Sequence, residues 1–117
     1  MSLSDVIKTL DAEKCQLYVL TDSDVENLKK VYIEMLDDIQ KVCKKYDINW
    51  ILTAGSMLGT VRHKGFIPWD DDVDINMTRE DFEKFRTIFN KELSDKYLLR
   101  IPGDKNYILH FPTIEKK

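Results

Sequence analysis

The 117-residue chain has room for one small domain, and its 18 basic and 21 acidic residues lack the basic excess of a nucleic-acid binder. Hydrophobic residues at 43% and charged residues at 33% describe a folded globular chain and exclude a disordered one. No apolar run approaches the ~20 residues of a membrane-spanning helix, and the N-terminus lacks the apolar centre of a signal peptide, so a cytoplasmic location is expected.

Ser4 to Ala12 reads as a short helix, and Gln16 to Leu20 as a strand or an extended packing segment. Cys15 and Cys43 lack C-x-x-C spacing and a clustered histidine, so both read as ordinary thiols. Ser23 followed by Glu26 is a capping box that opens a long helix. Val25, Leu28, Tyr32, Met35, Leu36, Ile39, Val42, Cys43 and Tyr46 recur at spacings of three and four, which gives that helix one buried stripe. Residues 1–49 therefore form an N-terminal helical region ahead of a core that starts at residue 50.

Trp50, Ile51 and Leu52 form a short strand that ends in a turn at Ala54, Gly55 and Ser56. A short helix follows, with Met57, Leu58 and Val61 as its apolar side and Gly59 allowing close packing on the sheet. A strand that stops at Gly-Ser and opens a helix aims backbone N–H groups and a hydroxyl at one point, which is an anion site. Arg62, His63 and Lys64 close the helix, either as charge that offsets the helix dipole or as phosphate contacts. Trp69 either packs in its loop or walls a ligand pocket.

From Asp72 to Met77, acidic or polar residues alternate with Val73, Ile75 and Met77, the period of a strand with one polar face. Asp72 and Asp74 then stand side by side, about 6–7 Å apart at Cα. Two carboxylates on one wall repel unless a cation lies between them. A hard divalent ion such as Mg²⁺ is the natural occupant. Asp70, Asp72 and Asp74 also have the D-x-D-x-D spacing of a calcium loop, but Ile75 and Asp81 stand where such a loop needs Gly and Glu. The D-x-D of a nucleotide-sugar glycosyltransferase is a further reading, less suited to the upstream Gly-Ser. An anion cradle beside an acidic metal pair suggests phosphoryl or nucleotidyl transfer.

Thr78 caps a helix from Arg79 to Lys91, with Phe82, Phe85, Ile88 and Phe89 on its core side. Tyr97 to Ile101 reads as a strand, Pro102 to Asn106 as a turn, and Tyr107 to Phe111 as the hairpin partner. His110 reads as a packed or surface residue.

Gly55-Ser56 followed by Asp72-Val73-Asp74-Ile75 resembles the paired motifs of nucleotidyltransferase-fold enzymes. More specifically, the stretch from Gly55 to Phe85, GSMLGTVRHKGFIPWDDDVDINMTREDFEKF, is similar to the signature of the LicD family, which includes bacterial phosphocholine transferases. The resemblance implies an α+β fold, a nucleotidyltransferase-like small mixed sheet with packed helices preceded by the long helix. It implies Mg²⁺ or Mn²⁺ held by Asp72 and Asp74 with Asp70 as an outer ligand. Gly55 and Ser56 would cradle the donor phosphate and Arg62 would offset its charge. The implied donor is CDP-choline or a related CDP-alcohol, and the implied acceptor a hydroxyl of a cell-surface glycan. Transfer from a nucleoside triphosphate, or a non-catalytic nucleotide-binding remnant, are the alternatives. Such enzymes add a third carboxylate from a later strand, and Glu115, in a terminal Glu-Lys-Lys, is a poor candidate. Residues 50–117 are thus expected to be the first part of a catalytic core, weak or inactive alone.

Overall fold

A computed structural model describes residues 20–68 and 72–117. The helix expected over Ser4–Ala12, the run from Gln16 to Val19, Cys15, Trp69, Asp70 and Asp71 lie outside the described residues. Within them the chain is α+β, with three helices and two small antiparallel sheets in the order α1 (Asp22–Lys45), β1 (Ile51–Leu52), α2 (Ala54–Arg62), β2 (Ile75–Asn76), α3 (Arg79–Glu92), β3 (Tyr97–Arg100) and β4 (Thr113–Lys116).

Helix α1 starts two residues before the expected cap. Thr21, not Ser23, is the N-cap, and its hydroxyl accepts from the Asp24 N–H at 3.2 Å while the Asp24 carboxylate accepts from the Thr21 N–H at 2.8 Å. The sequence offers two overlapping boxes. The earlier one puts both Asp22 and Asp24 in the first turn, where the helix dipole favours acids. The helix stops at Tyr46, and Asp47 takes a left-handed conformation (φ 55°) that lets the Ile48 N–H reach the Cys43 carbonyl at 2.8 Å.

The expected stripe supplies the core. Met35, Ile39, Val42 and Cys43 are buried with Ile48, with Phe85 and Phe89 of α3, and with Leu93 and Tyr97. Phe85 and Phe89 meet edge to face with ring centroids 5.8 Å apart. Two polar ties fasten α1 to the C-terminal half. The Tyr97 hydroxyl donates to Asp38 at 2.7 Å, joined by Lys96 Nζ at 3.1 Å, and the Tyr46 hydroxyl donates to Glu92 at 2.5 Å, joined by Lys45 Nζ at 2.9 Å.

Several expectations need correction. The strands form two separate antiparallel pairs, β1–β2 and β3–β4, where one mixed sheet was expected. The partner of β3 is Thr113–Lys116 and not Tyr107–Phe111. The later segment sets Ile114 opposite Leu99 against the core and Glu115 beside Arg100, with Nε–carboxylate contacts of 3.3 Å. The 107–111 segment instead closes a loop, its Tyr107 hydroxyl donating to the Phe111 carbonyl at 2.6 Å, and leaves Ile108, Leu109 and Phe111 exposed. The apolar side of α2 is likewise exposed at Met57, Leu58 and Val61. Gly59 packs against the returning loop and not the sheet. A Cβ there would lie 2.5 Å from the Gly65 carbonyl oxygen and 3.1 Å from the Ile67 nitrogen.

Candidate active site

The site begins with a loop folded back on its own helix. Ile67 is buried, the Gly65 N–H reaches the Gly59 carbonyl at 3.3 Å, and the Phe66 ring lies 6.3 Å from that of Tyr32 on α1. From there the chain returns antiparallel to β1, with Ile75 opposite Leu52 and Asn76 opposite Ile51. Burial alternates from residue 72 to residue 77. Asp72, Asp74 and Asn76 are exposed, whereas Val73, Ile75 and Met77 are half-buried. The polar face read from the sequence therefore begins three residues before the formal strand, at Asp72, and the two carboxylates share it.

Across from them β1 runs straight into α2. Gly55 and Ser56 form the first turn of this helix, where a turn ahead of it was expected. The change of direction falls on Thr53 and on Ala54, a non-glycine residue in the left-handed region at φ 49°. This corner brings the helix start onto Asp74. The Thr53 N–H donates to the Asp74 carbonyl at 3.1 Å, and Ser56 Oγ accepts from the Asp74 N–H at 2.9 Å. Both backbone polar groups of Asp74 are thus held, by Thr53 and Ser56, and its side chain is exposed.

The start of α2 also differs from the other two helix starts. Thr21 and Thr78 cap α1 and α3 with their side chains, and each of those helices has acids in its first turn. Thr53 makes no side-chain cap, and the first turn of α2 holds no acid. Its leading N–H groups, which have no acceptor within the helix, are electrostatically suited to an anion.

A groove of about 830 Å³ runs beside this corner. It is lined by the segment from Asp72 to Met77 with Thr53 and Ala54, by Tyr32, Phe82 and Phe111, and by the buried Phe85. Its size and apolar lining suit a small organic ligand. Asp72, Asp74 and Arg79 are its charged lining among the described residues. Arg62 is exposed at the last position of α2, six residues past Ser56 and so roughly 9 Å along the axis, and does not line this groove.

Among the described residues no group of three or more carboxylate, histidine or cysteine side chains is placed to hold a metal. Asp72 and Asp74 are the two carboxylates that line the groove among the described residues, and Glu115 is engaged by Arg100 on the β3–β4 hairpin. Arg79 was missed by sequence reasoning, though one signal marked it, a base at the first position of a helix, where acids are preferred. No described helix is long and apolar enough to cross a membrane.

The family model described as LicD/FKTN/FKRP, nucleotidyltransferase domain, matches residues 47–108. The lipopolysaccharide cholinephosphotransferase LicD of Haemophilus influenzae is 36% identical over 74 residues, 63% of this chain and 28% of that protein. Uncharacterized proteins of Rickettsia typhi and Rickettsia prowazekii are 34% and 33% identical over 76 and 73 residues, 65% and 62% of this chain. Those matches cover 24% and 26% of the two relatives, so the chain spans only about a quarter of the length of the curated proteins it matches. No solved structure gives a significant match.

Proposed function

The chain belongs to the LicD/FKTN/FKRP family through its nucleotidyltransferase domain, and from that premise we propose that it moves phosphocholine or a similar phospho-substituent from a CDP-activated donor to a hydroxyl of a cell-surface glycan. The observation that carries this reading is the bond from the Asp74 N–H to Ser56 Oγ. It joins the uncapped helix start, suited to phosphate, to the strand whose carboxylates suit a cation.

Asp72 and Asp74 would hold Mg²⁺ or Mn²⁺, with Asp70 as an outer ligand. Two carboxylates fit such an ion, because magnesium commonly takes one or two from the protein and completes its shell with water and substrate phosphate oxygens. When bound, the ion supplies positive charge opposite the phosphoryl oxygens. Ser56 Oγ accepts from Asp74 and keeps its own proton to donate to a donor phosphate oxygen. Gly55, having no side chain, would let that phosphate approach the helix N–H groups. Arg62 would add positive charge from the other end of α2. In the reaction the bond between the donor phosphorus and the CMP oxygen breaks and a bond from phosphorus to the glycan oxygen forms. CMP leaves and the hydroxyl proton is released.

The test uses the full-length protein with CDP-choline, a glycan acceptor and Mg²⁺. Free CMP and phosphocholine on the acceptor are expected, and Asp72→Asn or Asp74→Asn should each lower the rate roughly 10²–10³-fold with the thermal midpoint unchanged. Pyrophosphate released from a nucleoside triphosphate would move the reading to nucleotidyl transfer. A variant with near-parental activity would remove that residue from the metal site.

A further inference from the structure

We infer that Arg79 is a phosphate-binding residue of the groove, gripping the diphosphate of a nucleotide bound beside the acidic pair. The inference rests on the donor reading above.

The helix it opens has no use for this charge. Arg79 is the first residue of α3, so its guanidinium meets the positive end of the helix dipole, the end that Glu80 and Asp81 suit. Its ion pair with Glu83, 3.0 Å from Nη2 to Oε1, sets the base before the acid, the weaker order at this spacing. The two side chains are 85% and 45% exposed, so the pair is easily exchanged for a better anion. Glu83 also lies 3.9 Å from Arg86 and is not stranded if Arg79 swings away.

Its position, in contrast, has a use. Arg79 lines the same groove as Asp72 and Asp74. A divalent ion on those carboxylates would neutralise only part of a nucleoside diphosphate, whose remaining oxygens need a second cation. A planar guanidinium can meet two such oxygens at once, a geometry lysine cannot reproduce. Among the described residues Arg79 is the basic side chain that lines the groove, whereas Arg62, at the far end of α2, does not.

The test is calorimetric titration of CDP, at saturating Mg²⁺, into the full-length protein and its Arg79→Gln and Arg79→Lys variants, with thermal unfolding of each. Arg79→Gln should weaken CDP binding roughly ten- to a hundred-fold. Arg79→Lys should fall between the two. The midpoint of Arg79→Gln should stay level or rise, since a charge that opposes the dipole is gone. Equal CDP affinity in the parent and Arg79→Gln would overturn the inference and leave the donor reading standing. A lowered midpoint with binding lost equally in both variants would assign Arg79 to the fold and overturn it too. A parent that binds neither CDP nor CDP-choline would overturn the donor reading, and this inference with it.

Discussion

Asp74 is held by its backbone and leaves its side chain to solvent. Its N–H goes to Ser56 and its carbonyl to Thr53, so the carboxylate is aimed by two hydrogen bonds it does not itself make. On the proposed reading Ser56 has two tasks, to position Asp74 and to offer a proton to a bound phosphate. Ser56→Ala removes both. The bond lies at an exposed site, so the expected loss of stability is at most about 1 kcal/mol, because water can replace the lost acceptor. Donor affinity should fall further than that, with Ser56→Thr restoring part of it. Chemical denaturation and donor titration on the same two variants check this, and unchanged donor affinity in Ser56→Ala would reduce Ser56 to a strut for the strand.

At the scale of elements, α1 is tied to β3 and to the end of α3 by paired tyrosine–carboxylate–lysine contacts. The bond from Tyr97, with help from Lys96, holds the Asp38 carboxyl below its ordinary value of 3.8, and burial together with that bond pushes the Tyr97 phenol upward. Bonds from Tyr46 and then Lys45 lower Glu92 in the same way. A carboxylate with a depressed pKa in the folded state adds stability that is complete above its unfolded pKa and is lost as pH falls through the folded one. Stability should therefore drop as pH falls from about 5 toward 2. Tyr97→Phe should cost about 1–3 kcal/mol at neutral pH and make that acid slope shallower. Urea unfolding at several pH values measures both, and an unchanged acid slope in Tyr97→Phe would show that Asp38 does not depend on this bond.

The same scale shows what the sequence made legible. The stripe on α1, the Thr78 cap with its Asp81 partner, and the alternation from Asp72 to Met77 are local patterns, and all three lie where their periods put them. The partner of β3 is not a local pattern. Tyr107–Phe111 has the better strand composition, but Ile114 packing on the core and Glu115 beside Arg100 decide the register from outside the segment. The exposed apolar side of α2 has the same origin. Its periodicity shows that one face is apolar, but not that the contact inside the described residues is made at Gly59. At the site, Gly55, Ser56, Asp72 and Asp74 stood out as residue types at a spacing. The Ser56–Asp74 contact, between residues 18 apart, needed the β1–β2 pairing.

Among the described residues of the molecule an apolar cluster runs from α1 through α3 to β3, and the groove opens along its edge. Cys43 lies inside that cluster, 1% exposed, and burial, with some contribution from Asp81, pushes its thiol up to about 11, so it stays protonated and serves as packing. The core supports the groove through Phe85, and the β1–β2 corner supplies the lining that carries the acidic pair. On the proposed reading chemistry and packing meet along one edge, and a cation and a donor bound there would each strengthen the binding of the other. The most direct measurement is calorimetric titration of Mg²⁺ or Mn²⁺ into the full-length protein and its Asp72→Asn, Asp74→Asn double variant, with and without CDP-choline. Metal binding that needs both carboxylates and tightens when the donor is present is the predicted result. Equal metal binding in the double variant, or donor binding indifferent to the metal, would contradict a catalytic site built on Asp72 and Asp74.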